Sequence, residues 1–279
     1  APALIDKMMR SESLPMLGGE IRTVSLYRSD LAGFSGISEQ AGPAELVTLM
    51  NEYLSAMTDI IGAHGGFVDK YVGDGIDGVF GAPLEDPRHA LNAVKAALAG
   101  QARLRELNCV TPTLFLGHRL QQRIGLHTGA ALVGNIGSRQ RFNYTVMGDA
   151  ANLASRLEGA NRVYGTSIIA SAETVKTAGP DVVWRELDTI RVVGRQEPVV
   201  IFEPLGLRGQ ETAWQKDCAA RYALGLTRWR SADLAGAAEA FATFAGEDPP
   251  SRRFCDRIER HLRSGRAHDW SPVHKLASK

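Results

Sequence analysis

Apolar positions recur along this chain with two periods, one suited to strands and one to helices. Ile21 to Ser29, rich in Val, Leu and Tyr, reads as a strand. A Gly18-Gly19 break precedes it, and before that Leu4 to Met9 reads as a short helix. Pro43 opens a longer helix in which Leu46, Leu49, Met50, Tyr53, Met57, Ile60 and Ile61 fall at helical spacing, and Gly65-Gly66 ends it. Phe67 to Val72 and Gly75 to Phe80 read as short strands joined tightly at Gly73-Asp74, and about Pro87 to Leu107 as a second amphipathic helix.

Strand, helix, hairpin, helix and strand in that order predict an α+β class, with a ferredoxin-like βαββαβ sheet carrying its helices on one face. A loop around Thr111 to Gly117 leads to a strand from Arg123 to Val133, a Gly-punctuated hairpin and a helix from about Asp149 to Asn161. Strands near Ser167 to Ala170, Val182 to Val193 and Val199 to Glu203 complete the main unit. Beyond Leu207 the composition turns to Ala, Arg and Glu. Ala220, Leu224, Leu226, Ala237, Ala240, Phe241 and Phe244 predict a helical hairpin turning near Ser231-Ala232-Asp233. That hairpin looks like a single tetratricopeptide-type unit, and one such unit cannot bury its own apolar face. The basic stretch from Arg252 through Arg266 reads as a solvated helical face. The expected division is 1–19 as a linker, 20–206 as the main domain and 207–279 as a small C-terminal helical extension.

Composition narrows the class. A net charge of +1 argues against a polyanion-binding surface spread over the chain, and no nucleic-acid partner is expected. Cys109, Cys218 and Cys255 lie far apart without a CxxC pair, so disulfides and zinc are not expected and a reducing cytosol is the simpler setting. No apolar run approaches the roughly 20 residues that span a bilayer. Ala1 to Ile5 lack the basic start and apolar core of a signal peptide.

The candidate chemistry begins with two carboxylates. Asp30 ends the first strand and Asp74 sits in the turn between two later ones. The first and third strands are neighbours in a ferredoxin-like sheet, so both acids converge at one sheet end. Such a pair is a hard-oxygen site suited to Mg²⁺, which takes a few carboxylates plus substrate phosphates. Either Asp alone is more often a turn or cap residue.

Ser29-Asp30-Leu31-Ala32-Gly33-Phe34-Ser35 resembles the first metal motif of class III adenylyl and guanylyl cyclases, and Lys70-Tyr71-Val72-Gly73-Asp74 the second. Gly134-Asn135-Ile136-Gly137-Ser138, Arg141, Asn143 to Asp149, Asn152 and Ala154 to Glu158 resemble the family's most diagnostic block. The likeness runs in order over residues 20 to 206. It implies the class III nucleotidyl cyclase fold and conversion of ATP to 3′,5′-cyclic AMP and pyrophosphate with two Mg²⁺ or Mn²⁺ ions. By the same resemblance Asp30, Asp74 and the Leu31 backbone carbonyl hold the metals. Arg156 stabilises the transition state, Asn152 orients the ribose, and Lys70 and Thr145 read the base. Adenylyl cyclases of the family carry lysine with aspartate, threonine or serine at the last two positions, whereas guanylyl cyclases typically carry glutamate and cysteine. Lys70 can also reach Thr145. The family builds its sites between protomers, which implies a homodimer.

Two residues depart from the pattern: Arg28, where a large apolar residue is usual, and Asp77, where the family is usually apolar. If Asp30 lies opposite Gly75, Arg28 lies opposite Asp77, and the pair compensate as a cross-strand ion pair. The competing expectation is that Arg28 pairs with Asp30 and weakens metal binding. His127 shows no metal-ligand spacing and reads as structural. Pro2-Ala3-Leu4 and Leu17 to Glu20 resemble the linker of bacterial receptor cyclases. That implies the cytoplasmic output part of an inner-membrane receptor protein with an upstream membrane sensor. The alternatives are a cyclase-shaped module without turnover, a guanylate cyclase, and a diguanylate cyclase, for which no GGDEF-like run is present.

Overall fold

The protein is described by a computed structural model covering residues 17–110, 119–264 and 270–276. The expected helix Leu4 to Met9 and the loop around Thr111 to Gly117 lie outside the described residues.

Strand β1 (Gly18–Leu31) is the centre of the fold. Val24 and Leu26 enter one apolar cluster, whereas Tyr27 and Leu31 enter another. Successive strand residues point to opposite faces, so a strand buried on both faces must be covered on both. The chain continues through α1 (Phe34–Gln40), α2 (Pro43–Ala63), β2 (Gly66–Val72), β3 (Gly75–Phe80), α3 (His89–Val110) and β4 (Gln122–Gly137). These strands lie in the order β2-β3-β1-β4, each pair antiparallel. That is the expected ferredoxin-like arrangement, with α2 and α3 together on the Tyr27 face.

The other face is covered by α4 (Asp149–Tyr164), which follows β5 (Phe142–Met147). A Cβ on Gly125 of β4 would lie 2.1 Å from the Ala154 carbonyl oxygen and 2.3 Å from the Glu158 nitrogen. The helix therefore rests on bare strand backbone. The sheet extends through β6 (Ile168–Ser171), α5 (Ala172–Ala178), β7 (Val182–Arg191) and β8 (Val199–Leu207). Gly18 and Gly19 are not a break but the start of β1, paired with Asn135 and Gly134. A Cβ on Gly134 would fall 2.2 Å from the Gly18 carbonyl oxygen, so glycine here allows strands to approach rather than to end.

The C-terminal hairpin forms as α6 (Ala213–Arg230) and α7 (Leu234–Ala242), turning through Ala232 at φ 62°. The basic tail is not a solvated face. It forms α8 (Pro249–Ser264), which buries Pro250, Ser251, Phe254 and Ile258, before the short β9 (His274–Lys275). Phe254 stacks on Phe241 at 4.5 Å, and Arg257 lies over the rings of Trp229 and Phe254. Few apolar residues at helical spacing among many arginines hid this face. The three helices share a core with α4, β7 and β8. Two buried ion clusters fasten them: Arg185 to Glu203 and, at 2.8 Å, Asp248, and Arg257 to Asp188. Asp188 also accepts the Tyr164 hydroxyl at 2.6 Å. Among the described residues no helix is long and apolar enough to cross a membrane.

Candidate active site

Asp30 and Asp74 reach one sheet end by two routes. The β1–β3 register pairs Ser29 with Ile76, which brings the end of β1 against the β2–β3 turn. That turn closes because Gly73 takes φ 63°, a conformation costly for a residue with Cβ. The Leu31 amide donates to Asp74 Oδ2 at 2.9 Å. The two carboxyls adjoin, and the Asp30 carboxyl is pushed up, first by burial and then by the Asp74 charge. Among the described residues no three of His, Cys, Asp and Glu gather as a metal cluster. Two adjoining carboxylates that repel each other in a half-buried place fit a divalent cation completed by backbone and substrate oxygens.

Sequence reasoning did not single out Arg123 or Glu158, which complete this corner. Arg123 lies 3.5 Å from Asp30 and 3.4 Å from Glu158. The Glu158 carboxyl is pushed up to about 7 by burial and then by the Asp30 charge. An arginine on β4 and a glutamate on α4 are unremarkable in linear order, and only the Gly125 crossing brings them together.

Arg28 pairs with Asp77 in register and donates to Asp77 Oδ1 at 2.6 Å. The expected cross-strand ion pair therefore forms, and Asp77 rather than Asp30 takes this hydrogen bond. Replacing Asp77 by Ala leaves a part-buried guanidinium without its carboxylate. The expected cost is about 1–3 kcal/mol, measured by urea denaturation. A smaller loss for Asp77→Ala in an Arg28→Met background would isolate the pair.

Lys70 and Thr145 also meet, with Lys70 Nζ donating to Thr145 Oγ1 at 3.3 Å. A third residue, Asp69, was not foreseen. It accepts from Thr145 Oγ1 at 2.9 Å and lies 3.1 Å from Lys70 Nζ. The β2–β3 register shifts between Val68 and Lys70, a bulge that no residue in the segment announces.

Asn152 is exposed near the start of α4, and Arg156 follows one turn later. Arg156 Nη1 is buried without a hydrogen-bond partner among the described residues, and a Cβ on Gly194 would lie 3.1 Å from Nη2. Glu158 faces Asp30 from the same helix. At roughly 100° per residue, Arg156 and Glu158 project to opposite sides. One chain thus brings Asp30 and Asp74 together, and Lys70 with Thr145, but directs Arg156 away from the carboxylates. His127 is structural, within 2.8 Å of the Ser171 hydroxyl that caps α5.

Known proteins resemble this chain over most of its length. The family model for the adenylate and guanylate cyclase catalytic domain matches residues 18–202. Adenylate cyclase 1 of Rhizobium meliloti (strain 1021) is 38% identical over 184 residues, covering 66% of this chain and 28% of that protein. The adenylate cyclase of Anabaena cylindrica is 31% identical over 199 residues, covering 69% of this chain and 38% of its own length. The chain therefore spans less than half the length of these relatives. Among solved structures, the guanylyl cyclase Cya2 superposes with TM-score 0.63 at 38% identity, covering 70% of this chain and 98% of that one. The adenylyl cyclase CyaB from P. aeruginosa gives 0.64 at 31% identity, covering 70% and 100%.

Proposed function

We infer what this chain does from its family: it belongs to the adenylate and guanylate cyclase catalytic domain family, whose model spans most of it. Our reading is that it converts ATP to 3′,5′-cyclic AMP and pyrophosphate as a homodimer. The observation that carries this is the convergence of Asp30 and Asp74 at one sheet end, with the Leu31 amide held by Asp74. Overall likeness does not choose the base, since a guanylyl and an adenylyl cyclase superpose about equally well. The local pair supports adenine: Lys70 and Thr145 are in contact, with the lysine able to donate to the base and the threonine to accept from it.

In this reading Asp30 and Asp74, with the Leu31 carbonyl, would hold two Mg²⁺ or Mn²⁺ ions. Such ions lower the pKa of an attacking hydroxyl and neutralise phosphate charge. The chain's own residues do the rest. Lys70 and Thr145 seat the adenine so that the ribose 3′-oxygen faces the α-phosphorus. Asn152 hydrogen-bonds the ribose. Arg156, whose Nη1 has no hydrogen-bond partner among the described residues, donates to the phosphoryl oxygens as charge gathers on them. Arg123, 3.5 Å from Asp30, sets a further cation at the carboxylate corner.

Because Arg156 projects away from the carboxylates of its own chain, the complete site takes Lys70, Thr145, Asn152 and Arg156 from a second copy. The test is complementation. Asp74→Ala and Arg156→Ala are each expected to be inactive, Arg156→Ala by about 10²–10³-fold. A mixture should regain roughly a quarter of wild-type turnover, since half the dimers are mixed and each holds one intact site. No recovery on mixing, with both variants folded, would overturn the shared site. A wild type that cyclises GTP in preference to ATP would instead favour a guanylate cyclase. One that binds nucleotide without turnover would favour a module that only senses it.

The finer reading places the chain on the cytoplasmic side of a receptor-type membrane protein. It rests on the resemblance of the opening residues, most of which lie outside the described part. Shifting that segment in register should change activity if a sensor drives it.

A further inference from the structure

We propose that Asp69 sets the base preference of this site, by making Thr145 an obligate hydrogen-bond acceptor that selects a purine bearing an amine at its 6-position. This rests on the reading of Lys70 and Thr145 as the base-contacting pair and adds a residue behind it.

A hydroxyl has one proton and two lone pairs, so a lone threonine is ambivalent. It can accept from the 6-amine of adenine or, after rotating, donate to the 6-keto oxygen of guanine. Two neighbours remove that freedom here. The Asp69 carboxylate offers only lone pairs and lies 2.9 Å from Thr145 Oγ1, so the hydroxyl proton goes to Asp69. The Lys70 ammonium offers only donors and lies 3.3 Å from the same oxygen, so one lone pair is used by Lys70. What remains on Thr145 is a single lone pair and no proton. An amine satisfies it, whereas a keto oxygen meets it as lone pair against lone pair. Rejection of this kind is strong, because a polar group left unpaired in a closed site loses the full hydrogen bond.

The arrangement is held by the fold. The Asp69 side chain is only 5% exposed and lies 3.1 Å from Lys70 Nζ, so its position is set from two sides. In a regular strand Asp69 and Lys70 would point to opposite faces. The register shift between Val68 and Lys70 relaxes this, and consecutive side chains both reach Thr145. Thr145 arrives from β5, whose neighbour Tyr144 packs on Phe67 of β2 at 5.9 Å between ring centroids. Asp69 is a positioning residue. It touches Thr145 and Lys70, and it acts on the base only through them.

The experiment uses the full chain and compares ATP with inosine triphosphate, a keto analogue at the 6-position that lacks guanine's 2-amine. Wild type and Asp69→Asn are assayed for kcat/KM with each nucleotide, and for Kd with each so that the ratio is defined even where turnover is slow. Asn is isosteric, and its amide can either accept from Thr145 or donate to it. The expected result is a fall of about tenfold or more in the ATP-to-inosine preference. It should be carried by KM and Kd more than by kcat, with the melting temperature unchanged. In a Thr145→Val background the same Asp69→Asn substitution should leave the preference unchanged, because the hydroxyl it acts through is gone.

Equal losses with both nucleotides, or an unchanged ratio, overturn the proposal while leaving the adenylate reading intact. So does an Asp69 effect that persists without the Thr145 hydroxyl. A wild type that prefers the keto nucleotide overturns the adenylate reading itself, and this outcome is visible before any variant is compared.

Discussion

Asp74→Asn is expected to reduce cyclic AMP formation by about 10³-fold or more while leaving the fold intact. Asparagine keeps the acceptor oxygen that the Leu31 amide reaches at 2.9 Å, so the turn stays closed. What it removes is charge. Without Asp74 the site keeps one of its two metal-binding carboxylates, Asp30, already flanked by Arg123 at 3.5 Å, and a second cation loses its anionic ligand. Burial and the Asp74 charge both push the Asp30 carboxyl up, so removing that charge relieves repulsion in the metal-free chain. The melting temperature without metal should therefore hold or rise. Mn²⁺ should stabilise the wild type, because it binds the folded form, and should stabilise Asp74→Asn far less. Full activity in Asp74→Asn, or equal Mn²⁺ stabilisation of both, would remove Asp74 from the metal site.

The second large effect is on stability. Gly125→Ala adds a methyl where α4 backbone atoms would lie 2.1 and 2.3 Å away. Helix backbone cannot swing aside as a side-chain tip does, so α4 must lift from β4. Overpacking a tight core usually costs about 1–3 kcal/mol, and a backbone-on-backbone clash belongs at or above the upper end. For a chain of this size that corresponds to a melting temperature lower by roughly 6–12 °C. Activity should fall further than stability alone explains, because α4 carries Asn152 and Arg156 and holds Glu158 against Arg123. Gly62→Ala is the matched control: it sits in α2 with open space around its Cβ, and should be neutral or up to about 1 kcal/mol more stable. Equal melting temperatures for Gly125→Ala and wild type would show that α4 does not rest on Gly125.

Much of this molecule was readable in linear order because the signals are local. Helical spacing from Leu46 to Ile61 and the glycines at 73 and 75 set elements whose observed bounds differ by a residue or two. The order of those elements allows few sheets, and the ferredoxin-like arrangement placed Asp30 beside Asp74 and Arg28 beside Asp77. The β2–β3 register follows from its tight turn, and setting Asp30 against that turn places Arg28 opposite Asp77.

The remainder needed distant segments to meet. Asp69 gained its partners from a bulge in β2 and from a strand more than seventy residues away. Arg123 became a neighbour of Asp30 through the β1–β4 register, and Glu158 joined them because α4 crosses β4 at a glycine. The arginine-rich tail became α8 because Phe254 and Ile258 found the cavity left by α6, α7 and the far side of the sheet. Periodicity states which face of an element is apolar. It does not state which other face will cover it, because that depends on where the whole chain has already put its surfaces.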